Sequence, residues 1–237
     1  MTEPIPAVQE IVAKIKSQGF WEITIRPLKF NKTRIESLNE CKLLIEENKV
    51  RLRGWDYPHI SNKYGVRSGK DWVENLTDWS DKVEIWRMYQ SGQFVHLFGC
   101  REDWWGEVRI FWSKQTYTTP RYGLSLLSTL YTFTEIYEFA ARLAKRNVFD
   151  DFLNISTTLH GMKARRLVTL DMNRSLNDNH ICDIDEISLS KTPTVEQVIG
   201  KSNEYAIDGT LAVFERFNWL NVPKQVLEEE QSKFLKG

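Results

Sequence analysis

VEIWRMYQSGQFVHLF, residues 83–98, reads as two strand-length runs joined by Ser91-Gly92. The runs from Val83 to Gln90 and from Gln93 to Phe98 are rich in β-branched and aromatic residues, and a serine-glycine pair between such runs signals a hairpin. A two-residue turn sets the register, so that Tyr89 opposes Phe94, Arg87 opposes His96 and Ile85 opposes Phe98. Trp86, Met88, Val95 and Leu97 then share one apolar face. The other face is aromatic, with Arg87 and His96 at its centre.

Working outward toward the N-terminus, Val50 to Arg53 reads as a strand that leads into Gly54-Trp55-Asp56-Tyr57-Pro58-His59-Ile60. The glycine allows a bend, the proline holds the chain extended, and the aromatics anchor the turn. Thr33 with Glu36 has the spacing of a capping box, opening a helix whose stripe is Ile35, Leu38, Cys41 and Ile45. Trp21, Ile23 and Ile25 alternate with polar residues up to Pro27, the period of a half-buried strand. Val8, Ile11, Val12 and Ile15 have helical spacing, and Gly19 stands where a left-handed stop belongs.

Toward the C-terminus, the Trp-rich segment 104–112 does not declare its state. Leu124 to Ala144 is apolar on nearly every side, the mark of a central helix. Glu135, Glu138 and Arg142 argue against reading it as a membrane span. Phe152 to Leu159, Arg165 to Leu170 and Ile184 to Leu189 read as strands. A helix beginning at Thr192-Pro193, or at Thr194 with Gln197, is expected to stop at Gly200, before further helices from Ser202 to Phe217 and Pro223 to Leu235. The expected fold is α+β: a mainly antiparallel sheet packed on a long central helix, with amphipathic helices at both ends. Residues 1–190 form the core domain, and 191–237 a helical extension that packs on it or serves as a dimerisation arm.

The 32 basic and 32 acidic residues cancel, so no global field draws the chain to nucleic acid or an anionic membrane. Any such binding needs a local patch. Seven of the nine tryptophans fall between Trp55 and Trp112, which marks that stretch as packing-rich. Cys41, Cys100 and Cys182 make no CxxC pair, which disfavours a disulfide framework or zinc ribbon and fits a cytoplasmic protein. The N-terminus lacks the pattern of a signal peptide. No cofactor motif is visible; the 61–71 loop departs from a phosphate-binding Walker pattern at Asp71.

Chemistry concentrates on the outward positions of the strands. Arg26, Arg51, Arg53 and Arg87 all lie opposite the apolar stripes of their strands. If those strands share a sheet, an Arg-rich face results. Guanidinium forks suit phosphate, and Trp55, Tyr89 and Phe94 offer stacking surfaces. The expected function is therefore a non-catalytic binding module for an anionic partner, nucleic acid or nucleotide, through Arg51, Arg53, Arg87 and His96, with Trp55 and Tyr57 shaping the site. Neutralisation of the arginines by Glu22, Glu84 or Asp56 is the competing reading. An alternative function is phosphoester hydrolysis by Asp56 and His59. A third is an assembly role, in which the Trp-rich surface and the tail meet a protein partner or a second copy.

Arg51 to Ile60, Trp86 to Phe94 and Glu135 to Ala140 together resemble an uncharacterised group of bacterial proteins. That group carries an Arg-Gly-Trp-(Asp/Phe)-(Tyr/Phe)-Pro-His-Ile segment, sometimes beside ATP-binding domains of the Schlafen/AlbA type. The resemblance spans about Trp21 to Ala144. It implies a bacterial cytoplasmic accessory module in a nucleic-acid-directed or phage-defence setting, and it supplies no catalytic residue.

Overall fold

The 83–98 hairpin forms with one residue more in its turn than Ser91-Gly92 supplies. Tyr89 N–H donates to Gln93 O and Gly92 N–H to Tyr89 O, each at 2.9 Å. The turn is therefore Gln90-Ser91-Gly92, with Gly92 at φ +83°. A two-residue turn needs positive φ at both central positions or glycine at the first of them, and Ser-Gly meets neither requirement. The register consequently differs by one from the sequence expectation: Trp86 opposes His96, Arg87 opposes Val95, and Met88 opposes Phe94. Since side chains alternate, this slip exchanges faces, and Arg87 and His96 stand on opposite sides of the sheet.

The computed structural model describes residues 7–104, 123–169, 176 and 180–236; Trp105, Trp112 and Leu170 lie outside them. The elements are α1 (Val8–Lys16), β1 (Phe20–Pro27), α2 (Leu38–Asn48), β2 (Arg67–Ser68), β3 (Trp72–Trp79), β4 (Lys82–Tyr89), β5 (Phe94–Gly99), β6 (Gly123–Ser125), α3 (Leu126–Lys145), β7 (Leu153–His160), β8 (Arg166–Val168), β9 (Glu186–Lys191), α4 (Val195–Arg216) and α5 (Lys224–Lys236). Among the described residues, seven strands form one antiparallel sheet in the order β2-β3-β4-β5-β1-β7-β9, and β6 pairs with β8 in a small parallel sheet. The fold is α+β with the long helix α3 against the sheet.

The inner face of the sheet carries Ile23 and Ile25 from β1, Trp86 and Met88 from β4, Phe94 from β5 and Ile155 from β7. These pack with Phe133, Ile136 and Phe139 of α3. On its far side α3 meets α4 and α5: Tyr137 stacks with Tyr205, Tyr131 stacks with Phe234, and Gln231 donates to Thr134. Burial on both sides explains why α3 is apolar all round. The helical tail thus places its apolar stripe on α3. The outer face is covered differently. Ile11 and Ile15 of α1 pack on Phe20, Leu76, Val83 and Ile85, at one end of the central strands.

Several boundaries move. Ser37, not Thr33, caps α2, its hydroxyl accepting from Glu40 N–H. Val50 makes only an isolated bridge to Tyr57, and the expected 50–53 strand is a loop. α4 runs through Gly200, with a kink at Lys201, because tertiary packing on α3 outweighs the weak stop signal of one glycine. Gly19 is not a left-handed stop; it lies where a Cβ would collide with the Arg165 guanidinium, itself paired with Asp103. Among the described residues, no helix is long and apolar enough to cross a membrane.

Gly92 has positive φ, and an added Cβ there would lie 2.8 Å from Arg34 Cδ and 3.2 Å from the Val148 carbonyl. Gly92→Ala is expected to lower the unfolding free energy by at least about 1–2 kcal/mol in urea titrations. An unchanged midpoint would contradict the three-residue turn.

Candidate functional site

The loop between Val50 and Tyr57 is closed by two backbone hydrogen bonds, Val50 N–H to Tyr57 O at 2.7 Å and Tyr57 N–H to Val50 O at 2.9 Å. It bends at Gly54, φ +67°, and crosses the inner side of the sheet near the start of α3. Two buried carboxylates anchor it. Arg53 donates from Nε to Glu135 Oε1 at 3.0 Å and from Nη2 to Oε2 at 2.6 Å, with a further bond to Thr132 Oγ1. Trp55 Nε1–H donates to Glu84 Oε1 at 2.8 Å. Trp86 then donates to the His59 carbonyl at 2.6 Å, tying the next residues to β4. Segments 51–60, 86–94 and 135–140 meet here.

Between loop, sheet and helix lies a cleft of about 60 Å³ lined by Arg53, Trp55, Tyr57, Glu84, His96 and Glu135, together with Lys82 and Arg101. Glu84 accepts from Trp55 on one oxygen, and its other oxygen lies 2.8 Å from His96 Nε2. Burial pushes the Glu84 pKa up, but the His96 hydrogen bond and charge and the Trp55 bond outweigh it, leaving a net lowering. Glu84 is therefore ionised, and the proton between the pair sits on His96 Nε2. Burial raises Glu135 to about 7 even though Arg53 pulls in the opposite direction. Burial and the neighbouring Glu135 and Glu84 raise Tyr57 well above the ordinary tyrosine value, so its phenol is neutral.

Of the residues expected to form a site, Arg53, Trp55, Tyr57 and His96 converge on this cleft, while Arg51 and Arg87 do not. Arg51 is exposed, with its Nε 3.9 Å from Asp56. Both faces of the Trp55 ring are occupied, by the His59 ring at 3.6 Å and the Lys82 ammonium at 3.7 Å, so it offers no free stacking surface. The Asp56–His59 pair does not assemble: Asp56 holds Lys49 at 2.5 Å, and no hydrogen bond joins it to His59 among the described residues. Nor, among those residues, is there a group of three or more His, Cys, Asp or Glu able to hold a metal.

Arg87 belongs to a different site on the outer face. Glu74, 2% exposed, accepts from Arg87 at 2.6 and 3.1 Å and from Arg67 at 2.8 Å. The Arg87 guanidinium lies 4.1 Å over the Trp72 ring and donates to Tyr89 Oη at 3.2 Å. Cross-strand pairing then runs without a break as Arg67, Glu74, Arg87, Val95, Thr24, Ser156 and Ser190, across all seven strands. Arg26 stands on the same face of β1, two residues from Thr24, exposed and with no carboxylate partner among the described residues. The hydroxyl pairs Ser156–Ser190 and Thr158–Ser188 are open to solvent.

Sequence reasoning did not assign Arg67, Glu74, Lys82 or Glu135 to a site. Glu135 carried a usable signal, because a carboxylate inside an otherwise apolar helix requires a buried partner. Arg67 and Glu74 carried none, since they become neighbours only through β2–β3 pairing.

Two expectations follow from the Arg53–Glu135 pair. Arg53→Ala leaves a buried carboxylate without its partner and is expected to cost about 3 kcal/mol of stability. The second concerns pH. Glu135 has a folded pKa of about 7 against an ordinary value of 4.5, so between those values the folded chain keeps a proton that the unfolded chain has lost. Its contribution to stability is greatest below the lower value and declines as pH rises through the upper one. In urea melts at about pH 5 and about pH 8, Glu135→Gln should lose less stability between the two than wild type; equal losses would refute the assignment.

No family model, curated protein or solved structure matches the chain.

Proposed function

We propose that the chain is a binding module for single-stranded nucleic acid and that it binds through the open outer face of the sheet. The observation that carries this reading is the unbroken cross-strand row from Arg67 to Ser190, in which two guanidinium groups share one buried carboxylate. With Arg26 added, three guanidinium groups cluster about Glu74 and one end of the row, while the carboxylates of Glu22 and Glu186 lie toward the other end, beside His160. Arg67, Arg87 and Arg26 sit on alternate strands, roughly 10 Å apart by the spacing of neighbouring strands. Arg87 spends its Nε–Nη2 fork on Glu74 and is held over Trp72, so it offers a phosphate only its remaining Nη N–H groups, in a fixed position. The Thr24, Ser156, Ser188 and Ser190 hydroxyls extend the row with the uncharged donors that commonly position a phosphate backbone. The setting implied by the family resemblance, a bacterial accessory module acting near nucleic acid, belongs to the same proposal. Phosphoester hydrolysis has no comparable support, since Asp56 and His59 are engaged elsewhere.

Fluorescence anisotropy with single-stranded DNA and RNA over a salt series tests this. Arg26→Glu should leave the melting temperature unchanged, weaken binding about tenfold and reduce the magnitude of the salt slope by about 0.7 per lost phosphate contact. Binding that Arg26→Glu and Arg67→Glu both leave intact would move the interface elsewhere.

A further inference from the structure

Three exposed apolar side chains gather at one end of the β1–β7 ladder. That ladder closes with Pro27 opposite Leu153, so Leu28 and Phe152 are the next residue on each strand. Leu28 is 52% and Phe152 43% exposed, beside buried Pro27 and Leu153, and the alternation puts them on the outer side with Arg26 and Asn154. Phe30, 82% exposed, follows two residues after Leu28. Arg34 holds this loop against the approach to β7: it donates from Nη1 and Nη2 to Asp150 at 2.9 and 2.7 Å, and from Nη2 to the Lys29 carbonyl at 3.0 Å. Arg26, Lys29 and Lys32 are exposed, and none of them meets a carboxylate at ion-pair distance among the described residues. Segments 26–34 and 150–152 thus set Arg26, Lys29, Lys32 and Arg34 against Asp150, which Arg34 holds, and Asp151. Helix α1 packs at the other end of β1, on Phe20.

We propose that Phe30 and Phe152 form a base-stacking platform for single-stranded nucleic acid, continuous with the outer row. This rests on the nucleic-acid reading above and names the base contacts that reading lacks. The rings expected from the sequence to stack are engaged elsewhere: Trp55 has both faces occupied, Phe94 is buried in the core, and Tyr89 takes the Arg87 guanidinium. A phenyl ring as exposed as Phe30 adds little to its own fold, and it stands among cations that lack counter-ions. Single-stranded nucleic acid matches that combination, because every base has a π-face and every phosphate a charge. The row crosses β1 at Thr24, and Leu28 lies four residues further along the same side, about 13 Å at the usual strand rise. Arg26 stands between them and is the phosphate contact that the row and the platform share. Stacking reads no hydrogen-bond pattern, so the platform adds affinity with little sequence preference.

Anisotropy titrations of the full chain and its Phe30 variants with single-stranded DNA and RNA, over a salt series, test the proposal. Phe30→Ala should leave the melting temperature unchanged and weaken binding at least about fivefold. Its salt slope should stay at the wild-type value, because a stacked base is lost and no phosphate contact is. Phe30→Leu should bind as weakly as Phe30→Ala, and Phe30→Trp should keep wild-type affinity. Wild-type affinity in Phe30→Ala, with binding still sensitive to Arg26→Glu, overturns the platform alone; no oligonucleotide binding by the wild-type chain overturns it together with the nucleic-acid reading. Full affinity in Phe30→Leu reduces the contact to apolar burial and overturns stacking. Binding to phosphatidylserine vesicles that Phe30→Ala abolishes, with oligonucleotide binding unmoved, assigns the patch to a membrane surface instead.

Discussion

The three-residue turn at 90–92 decides which side of the sheet each residue of β4 and β5 takes. With Gly92 at φ +83° supplying the turn, Glu84, Trp86, Met88, Phe94, His96 and Phe98 all project toward α3. Shifting the register by one residue would put Trp86 and Met88 on the same side as Val95 and Leu97 instead of Phe94, His96 and Phe98. The core would lose the aromatics of β5, or β4 would have to turn Arg87 toward α3 to keep them. Register here carries most of the burial on the central strands, so a single glycine constrains both the packing and the placement of charge.

That placement allows two buried carboxylates to organise the loop before the hairpin. Glu84 from β4 and Glu135 from α3 each take a loop side chain, Trp55 and Arg53 respectively. Such bonds add little net stability by themselves, because both partners give up water. They are specific, however, because each carboxylate accepts from one particular loop side chain, Glu84 with His96 on its other oxygen. Leu52 and Tyr57 reinforce the arrangement by packing into the core. The two carboxylates differ in environment: Glu84 is stabilised as an anion by three donors or charges, whereas Glu135 remains close to neutral despite Arg53. This division leaves the cleft with one ionised carboxylate and one that exchanges its proton near neutral pH.

The sheet thereby separates two chemistries. Its inner side holds a small cleft lined by charges of both signs, and its outer side an extended row of guanidinium and hydroxyl groups that α1, among the described residues, overlies at one end. A small cleft favours recognition of a few atoms, while an extended row favours a polyanion that contributes one contact per strand.

Amphipathic spacing in the sequence was enough to place α1, β1, the long central helix, β7 and the tail helices, because burial on one face leaves a periodic trace. It also marked Gly54 to Ile60, after a strand expected at 50–53 that does not form, as a bend rich in chemistry, and Arg53, Trp55, Tyr57 and His96 do share a cleft. The Ser91-Gly92 turn was visible, but its length was not, since two- and three-residue turns share glycine and differ only in backbone dihedrals. That one residue separated Arg87 from His96. Pairings across the sheet, Arg67 with Glu74 and Arg87, and contacts across layers, Arg53 with Glu135, left no local signal. The sequence by itself determined the elements and the residues able to do chemistry, because these follow from local periodicity and side-chain type. Only the tertiary structure decided which of those residues meet, because strand order and register bring together positions as far apart as Arg53 and Glu135.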